Sequence, residues 1–314
     1  MRYSQQRSFN TCPFLYKLQT EDKLQKQQEG KESNDKIWGQ AFHKAMEVHY
    51  LGGTITEAQE AFRKVYPRDL NPEERIKTLA NGLAIVKGYI EFYKEQDKNW
   101  KTIATEVEGN IVITGEAGEE DHELHIDLVA ENLQGGGIYF WDHKTTYKLP
   151  YPSYWKPFEL SAQLTRYTAY VKEKFGQCSG AYINNVTVGY TAPYEKGKTN
   201  NTYFESLKNP MSFYEHREKK YSKYHKKDMT VVHGATAKFE RQLFNRSDEM
   251  IEFWRQSDQD WIKTIEFCKK NNVWPKHLGT LCGWCEMFDL CQSSNNPQIR
   301  ELLYETKMGD LKVG

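Results

Sequence analysis

The 314-residue sequence lacks an excess of charge of either sign: 43 Lys and Arg are matched by 43 Asp and Glu, for a formal net charge of zero. A uniformly basic surface that would hold nucleic acid by charge alone is excluded, so any such footprint must be local. Long apolar runs are missing as well. No stretch of about 18 apolar residues occurs, so no helix is expected to span a membrane. The start, Met1-Arg2-Tyr3-Ser4-Gln5-Gln6, leads into no apolar signal segment, and a cytosolic protein is the expectation. Internal repeats and a clear linker are absent too, which favours one domain (1–314) over two. What is present is aromatic. At 14% aromatic content, despite a mean hydropathy of -0.82, the chain reads as globular rather than disordered.

Cysteine is scarce, six residues in all, but Cys282, Cys285 and Cys291 stand together as C-x2-C-x5-C. In a reducing compartment such clustering points to metal ligation rather than disulfides. A fourth ligand would close a tetrahedral zinc site or a cubane iron–sulfur cluster. The candidates are Cys12, Cys178, Cys268 and His277. Cys178 opens a buried-looking strand and Cys268 lies in an amphipathic helix, so both read as core thiols. Cys12 sits in an N-terminal turn capped by Asn10 or Thr11 and followed by Pro13. Chemistry alone admits both groups, zinc being the commoner structural device.

Three helices are expected early in the chain: residues 36–50, 56–66 and 72–96, the last opened by Asn71-Pro72. Residues 20–35, rich in Lys, Gln, Glu and Asp, read as a solvated helix end and loop. A strand at 103–114 follows. Residues 124–146 then read as a hairpin, two apolar runs (124–130 and 138–141) around Gly135-Gly136-Gly137. A proline-punctuated loop precedes a helix at 158–174, and a strand is expected at 180–190. Residues 192–201 read as a polar loop and 203–207 as another strand. A strand at 239–245 and a helix at 247–270 complete the scaffold. One domain thus divides into an N-terminal helical part (1–100), a core (101–246) and a C-terminal segment (247–314).

The hairpin carries the chemistry. Pairing brings Asp127 to Asp142, and Lys144 points the same way as Asp142 because strand side chains repeat every two residues. Two carboxylates and an ammonium suit a divalent metal that activates water beside a phosphate. Taken alone, Asp-x-Lys is equally a surface ion pair. Arg217–Lys227 is the one strongly basic stretch, with Lys219, Lys220, Lys223, Lys226 and Lys227 interleaved with tyrosines. It suits a nucleic-acid backbone and its bases as well as it suits a solvated loop.

In order along the chain these residues resemble the PD-(D/E)xK nuclease superfamily, in particular RecB-type nucleases with an iron–sulfur cluster, among them the AddB nuclease domain, CRISPR-adaptation nucleases and phage exonucleases. The resemblance rests on Cys12-Pro13, on Gly39 to His43 (G-x-x-x-H), on Asp127, on Asp142-His143-Lys144, on Gln163 to Tyr167 (Q-x-x-x-Y) and on the terminal cysteine triplet. One departure is Leu124, where the family places glycine, which bears on strand packing. The resemblance implies a mixed sheet flanked by helices. It implies that His43, Asp127, Asp142 and the backbone carbonyl of His143 hold Mg2+ or Mn2+, with Glu106 a further approach from the adjacent strand. Lys144 would serve the attacking water, and Gln163 and Tyr167 the substrate. Cys12, Cys282, Cys285 and Cys291 would hold a [4Fe–4S] cluster, with structural zinc the alternative. The implied function is hydrolysis of DNA with free ends or single strands, as an exonuclease in recombination, repair or phage DNA metabolism, with a recombination or replication protein as partner. The rivals are a CRISPR-adaptation nuclease and a DNA-end-binding subunit without activity.

Overall fold

The computed structural model describes residues 3–27, 33–68, 76–115, 118–146, 152–188, 230–232 and 235–306. The chain begins with α1 (Tyr3–Thr11), α2 (Pro13–Tyr16), a π-helical turn (Lys17–Glu21) and β1 (Leu24–Lys26). It continues through α3 (Asn34–Tyr50), α4 (Ile55–Val65), α5 (Leu79–Asp97), β2 (Trp100–Gly115), β3 (Gly118–Asn132) and β4 (Ile138–Thr146). Next come α6 (Pro152–Glu159), α7 (Ala162–Phe175), β5 (Gly180–Val188), β6 (Thr230–Val232) and β7 (Ala235–Phe244). The tail holds α8 (Asp248–Asn271), a 3-10 turn (Thr280–Trp284), α9 (Phe288–Gln292), α10 (Pro297–Leu303) and β8 (Tyr304–Thr306). The elements fall into two compact units interleaved in sequence. A sheet unit comprises Glu32–Glu108 and His125–Ser247, and a cysteine unit comprises Met1–Lys31, Gly109–Leu124 and Asp248–Gly314.

In the sheet unit the strand order is β2-β3-β4-β5-β7-β6, a mixed six-stranded sheet. β3 and β4 are antiparallel with Leu128 opposite Trp141, whereas β4 and β5 are parallel with His143 opposite Asn184. A parallel pair needs a long crossover, here supplied by α6 and α7. Central β5 buries Ala181, Ile183, Val186 and Val188, but also Asn184, Asn185 and Thr187. Polar side chains inside a central strand must find partners there.

Helices α3, α4 and α5 start on side-chain caps: Ser33 accepts from Lys36 N, Thr54 and Glu57 form a capping box, and Thr78 accepts from Asn81 N. Their apolar faces close one core around Trp38, Phe42, Met46, Phe62 and Tyr89. Gly82 is required by this packing, because a Cβ there would lie 2.1 Å from the Phe62 ring. The β3–β4 turn closes with Asn132 N donating to Gly137 O at 3.0 Å, while Asn132 Oδ1 accepts from Gln134 N and Gly135 N. Gly136 and Gly137 have φ of +71° and +90°, the left-handed region that glycine enters without penalty.

In the cysteine unit Phe9, Tyr16, Ile265 and Cys268 form one core, packed by Trp261 and Trp274. Leu18, Leu24, Met287, Leu290 and Tyr304 form another. β1 pairs with β8, Leu24 opposite Thr306, so the N-terminal stretch and the tail hydrogen-bond to each other.

Several expectations are corrected. Residues 20–35 are not simply solvated: Leu24 is buried and belongs to a strand, because its partner strand lies far away in sequence. The proline-punctuated loop is helix α6, with Pro152 at its start, where the missing N–H is no loss, and Pro157 near its end. Consequently the helix expected from 158 begins at Ala162, capped by Ser161. Asn10 and Thr11 end α1 rather than capping, and Cys12 itself precedes α2 as the N-cap residue. The described α5 begins at Leu79. Its expected opening at 71–74, the loop at 192–201, the strand at 203–207 and the basic stretch Arg217–Lys227 lie outside the described residues.

Candidate active site

The site is assembled from α3, β2, β3 and β4. Asp127 is buried, and each of its oxygens is engaged. Oδ1 lies 3.3 Å from His43 Nδ1, and Oδ2 accepts the backbone N–H of His143 at 2.5 Å. Burial pushes its pKa up, but the His43 imidazole and the His143 N–H outweigh it and hold the carboxyl well below the usual range. Burial likewise works against the His43 cation, and the charge of Asp127 overcomes it, so His43 is raised.

One register position away, Lys144 Nζ lies 2.6 Å from Asp142 Oδ2. Burial, partly offset by Lys144, raises Asp142; burial opposes charge on Lys144, but Asp142 prevails and raises it. The Lys144 ammonium is held beside the Asp142 carboxyl.

Glu106 enters from β2. Its backbone has φ +48°, a left-handed conformation inside a strand that a non-glycine residue adopts only at a cost of about 1–3 kcal/mol. The bend brings its carboxylate to the others: ligand atoms of His43, Glu106 and Asp127 all lie within 4.8 Å of one another, and among the described residues this is the group so arranged. Asp142 stands outside it, engaged with Lys144. His125 Nε2 is 2.8 Å from Glu106 Oε2, and this bond raises the His125 pKa. A groove of about 620 Å³ opens over His43, Glu106 and His125, with Lys36, Gln40 and Lys44 along its α3 wall. One nitrogen and several carboxylate oxygens around an open groove are the donor set of a hard divalent cation that keeps water ligands, so the residues fit Mg2+ or Mn2+.

On α7, Gln163 Nε2 donates to Tyr167 Oη at 2.9 Å, and the Tyr167 ring meets Phe140 of β4 edge-on at 5.8 Å. Phe140 precedes Asp142 by two and shares its face. Gly39, one turn before His43, faces Thr145 Oγ1 at 3.6 Å, an ordinary contact, so space alone does not require glycine there. The Leu124 side chain is buried. Sequence reasoning missed His125, although its position two before Asp127 places both on one strand face. The conformation of Glu106 had no sequence signal.

In the cysteine unit, burial raises the Cys285 thiol against a hydrogen bond with the Met287 backbone, with Cys12, Cys282 and Cys291 adding smaller contributions, and among the described residues no three of these sulfurs lie within 4.8 Å of one another. Their own hydrogen bonds are weak. Cys12 Sγ is 3.9 Å from Pro275 O, Cys282 Sγ is 3.7 Å from His277 O, and Gly279 N donates to Cys282 Sγ at 3.4 Å. His277 Nδ1 is 3.0 Å from Thr11 O. Cys268 is packed in a core, and Cys178 lies in the other unit, its thiol pushed up to about 11 by burial.

A family model for the PD-(D/E)XK nuclease superfamily matches residues 3–292. A crystal structure of a protein from Eubacterium rectale, described provisionally as an exonuclease, aligns at a TM-score of 0.46 with 14% identity, covering 90% of this chain and 87% of that one. A second crystal structure, of SSO0001, aligns at 0.31 with 13% identity, covering 85% and 88%. No curated protein matches the chain.

Proposed function

The chain belongs to the PD-(D/E)XK nuclease superfamily, and from this premise we propose that it hydrolyses DNA phosphodiester bonds, as an exonuclease in recombination, repair or phage DNA metabolism. The observation that carries the reading is the convergence of His43, Glu106 and Asp127 beside the Asp142–Lys144 ion pair. Mg2+ or Mn2+ held by His43, Glu106, Asp127 and, in the expected set, Asp142 and the His143 carbonyl would supply Lewis acidity and a more acidic water. The protein's own groups do the rest. Lys144 orients the attacking water and stabilises the charge that develops on phosphate oxygens. Asp142 keeps that ammonium in place, and Gln163 with Tyr167 positions the scissile phosphate or a neighbouring nucleotide. Lys219, Lys220, Lys223, Lys226 and Lys227 contribute affinity for the DNA backbone.

Within the same proposal the chain acts as one nuclease domain whose cysteine segment is structural. Cys12, Cys282, Cys285 and Cys291 hold a [4Fe–4S] cluster, a reading supported by their motif order, with structural zinc the alternative. A non-catalytic end-binding role is disfavoured by the intact His43, Asp127, Asp142 and Lys144.

The test is cleavage of end-labelled linear DNA against circular single strands with Mn2+. Release of terminal nucleotides from linear DNA, with circles spared, is expected. Cleaved circles would replace the exonuclease assignment by an endonuclease, and cleavage of neither would overturn the catalytic reading.

A further inference from the structure

Behind the metal-binding face lies a chain of buried hydrogen bonds that ends on His143, the residue between Asp142 and Lys144. It starts from one group that is always a donor. Arg241 of β7 can only donate. It gives its Nη1 to Asp97 Oδ1 at 2.5 Å and its Nη2 to Tyr89 Oη at 2.8 Å and Tyr50 Oη at 3.1 Å. Its guanidinium stacks on Tyr93 at 3.4 Å and Trp141 at 4.3 Å, which locks its orientation. Tyr50 Oη and Tyr89 Oη are 2.8 Å apart, and Tyr50 Oη is 3.4 Å from Asp97 Oδ2, an acceptor. The two hydroxyls share one hydrogen bond, and both accept from Arg241. Tyr89 Oη in turn accepts from Asn184 Nδ2, 2.7 Å away. The same Nδ2 lies 2.5 Å from His143 Nδ1, so its second hydrogen goes there and Nδ1 is an acceptor. The His143 proton is thus on Nε2.

The ring is also clamped by contact. It stacks on Tyr50 at 5.9 Å and 10° and meets Phe42 edge-on at 6.3 Å. Asn184 is fully buried and is the register partner of His143 across the parallel β4–β5 pair. The His143 backbone N–H is the donor that occupies Asp127 Oδ2, leaving Oδ1 toward His43. Holding this ring thereby holds the backbone that aims Asp127, Asp142 and Lys144.

We propose that Asn184 and Tyr89 are positioning residues of the nuclease site, which fix His143 as its Nε2–H tautomer and set the backbone between Asp142 and Lys144. The inference deepens the nuclease reading and rests on it for its kinetic arm only. Supporting contacts of this kind around metal ligands are worth about 10–100-fold in metal affinity or activity.

The test combines ring-nitrogen NMR of protein with isotopically labelled histidine, recorded on Asn184→Asp and Tyr89→Phe, with Mn2+-supported cleavage of linear DNA. Asn184→Asp replaces a donor by an acceptor, so the His143 proton is expected to move to Nδ1, with turnover falling at least about tenfold and KM for DNA unchanged. Tyr89→Phe lets the amide turn either way, so mixed ring signals and a smaller loss are expected. Ring signals like the wild type in both variants, or shifted signals with wild-type turnover, would overturn the proposal. If Asn184→Asp does not fold, Tyr89→Phe decides by the same readout. A wild-type protein that cleaves no DNA would sink the nuclease reading, while the ring signals would still decide whether Asn184 sets the tautomer.

Discussion

The two sets of candidate ligands in this molecule are held in opposite ways. Asp127 and Asp142 are buried, and each is tied by charged or backbone partners at hydrogen-bond distance. The cysteines are half-buried: Cys282 sits in a 3-10 turn with no buried residue, Cys12 and Cys282 meet only carbonyls and an amide at long range, and Cys285 packs on the Leu18–Met287 core. Around them Leu278, Leu281 and Trp284 are exposed, Trp284 at 90%. The carboxylate site is built by folding, with a core behind it. The turn that carries Cys282 has no buried residue of its own, so a bound group would contribute much of its local order. Ligand removal should therefore read out as chemistry in one unit and as stability in the other.

The largest effect expected is on catalysis. Asp127→Ala, Asp142→Ala and Lys144→Ala should each cut turnover by about 10³-fold or more with the melting temperature nearly unchanged, measured by cleavage of labelled DNA and calorimetry. The two carboxylate changes should also weaken Mn2+ binding, whereas Lys144→Ala should spare it. Normal cleavage by any one of them would break the site assignment.

Cys12→Ala should do the reverse. Joining residue 12 to residues 282–291 closes nearly the whole chain, and closure of so long a loop is worth about 5 kcal/mol in the chain-entropy model. Protein purified without oxygen should be brown, and Cys12→Ala should lose colour and thermal stability together, while Cys178→Ala and Cys268→Ala keep the colour. A colourless wild type with one tightly held zinc would replace the cluster but preserve the contrast between the units. Colour retained by Cys12→Ala and lost by Cys268→Ala would instead move the fourth ligand.

A third expectation sharpens the claim that folding alone builds the carboxylate side. Burial works against the Asp97 carboxylate, but His49 at 3.9 Å and the hydrogen-bonded Arg241 hold its pKa below the ordinary value. A lowered folded pKa means that its stabilisation is complete above the unfolded value, about 3.9, and is lost as pH falls through the folded one. Asp97→Asn leaves Arg241 buried without its partner and should cost about 3–5 kcal/mol at neutral pH by urea unfolding. The gap from wild type should narrow as pH drops below about 4. A gap constant across that window would show that Asp97 contributes by shape rather than charge.

The smallest effect concerns the basic stretch. Replacing Lys219, Lys220, Lys223, Lys226 and Lys227 by Gln should weaken DNA binding and flatten its salt dependence by up to about 0.7 in log–log slope per lost contact to a single strand. Turnover at saturating DNA should stay the same. An unchanged salt slope would remove the stretch from the interface.

Strand periodicity was enough to place Asp142 and Lys144 on one face and to pair them with Asp127, because side chains alternate every two residues and the glycine turn sets the hairpin. Local pattern likewise located α3 and the cysteine triplet. It misread α6, where Pro150, Pro152 and Pro157 suggested a loop although Pro152 opens a helix that continues through Pro157, and it misread β1, whose apolar Leu24 needs a partner from the tail. What pattern could not supply is which distant faces meet. Glu106 joins His43 through a left-handed turn of backbone inside a strand, a conformation that no residue type at that position announces. Arg241, Tyr89 and Asn184 come from three separate elements, and a buried asparagine in β5 gains meaning only from the register that sets it beside His143. Periodicity acts through neighbouring residues and so is written in the chain; hydrogen-bond direction and long-range contact depend on packing, and only the tertiary structure decides them.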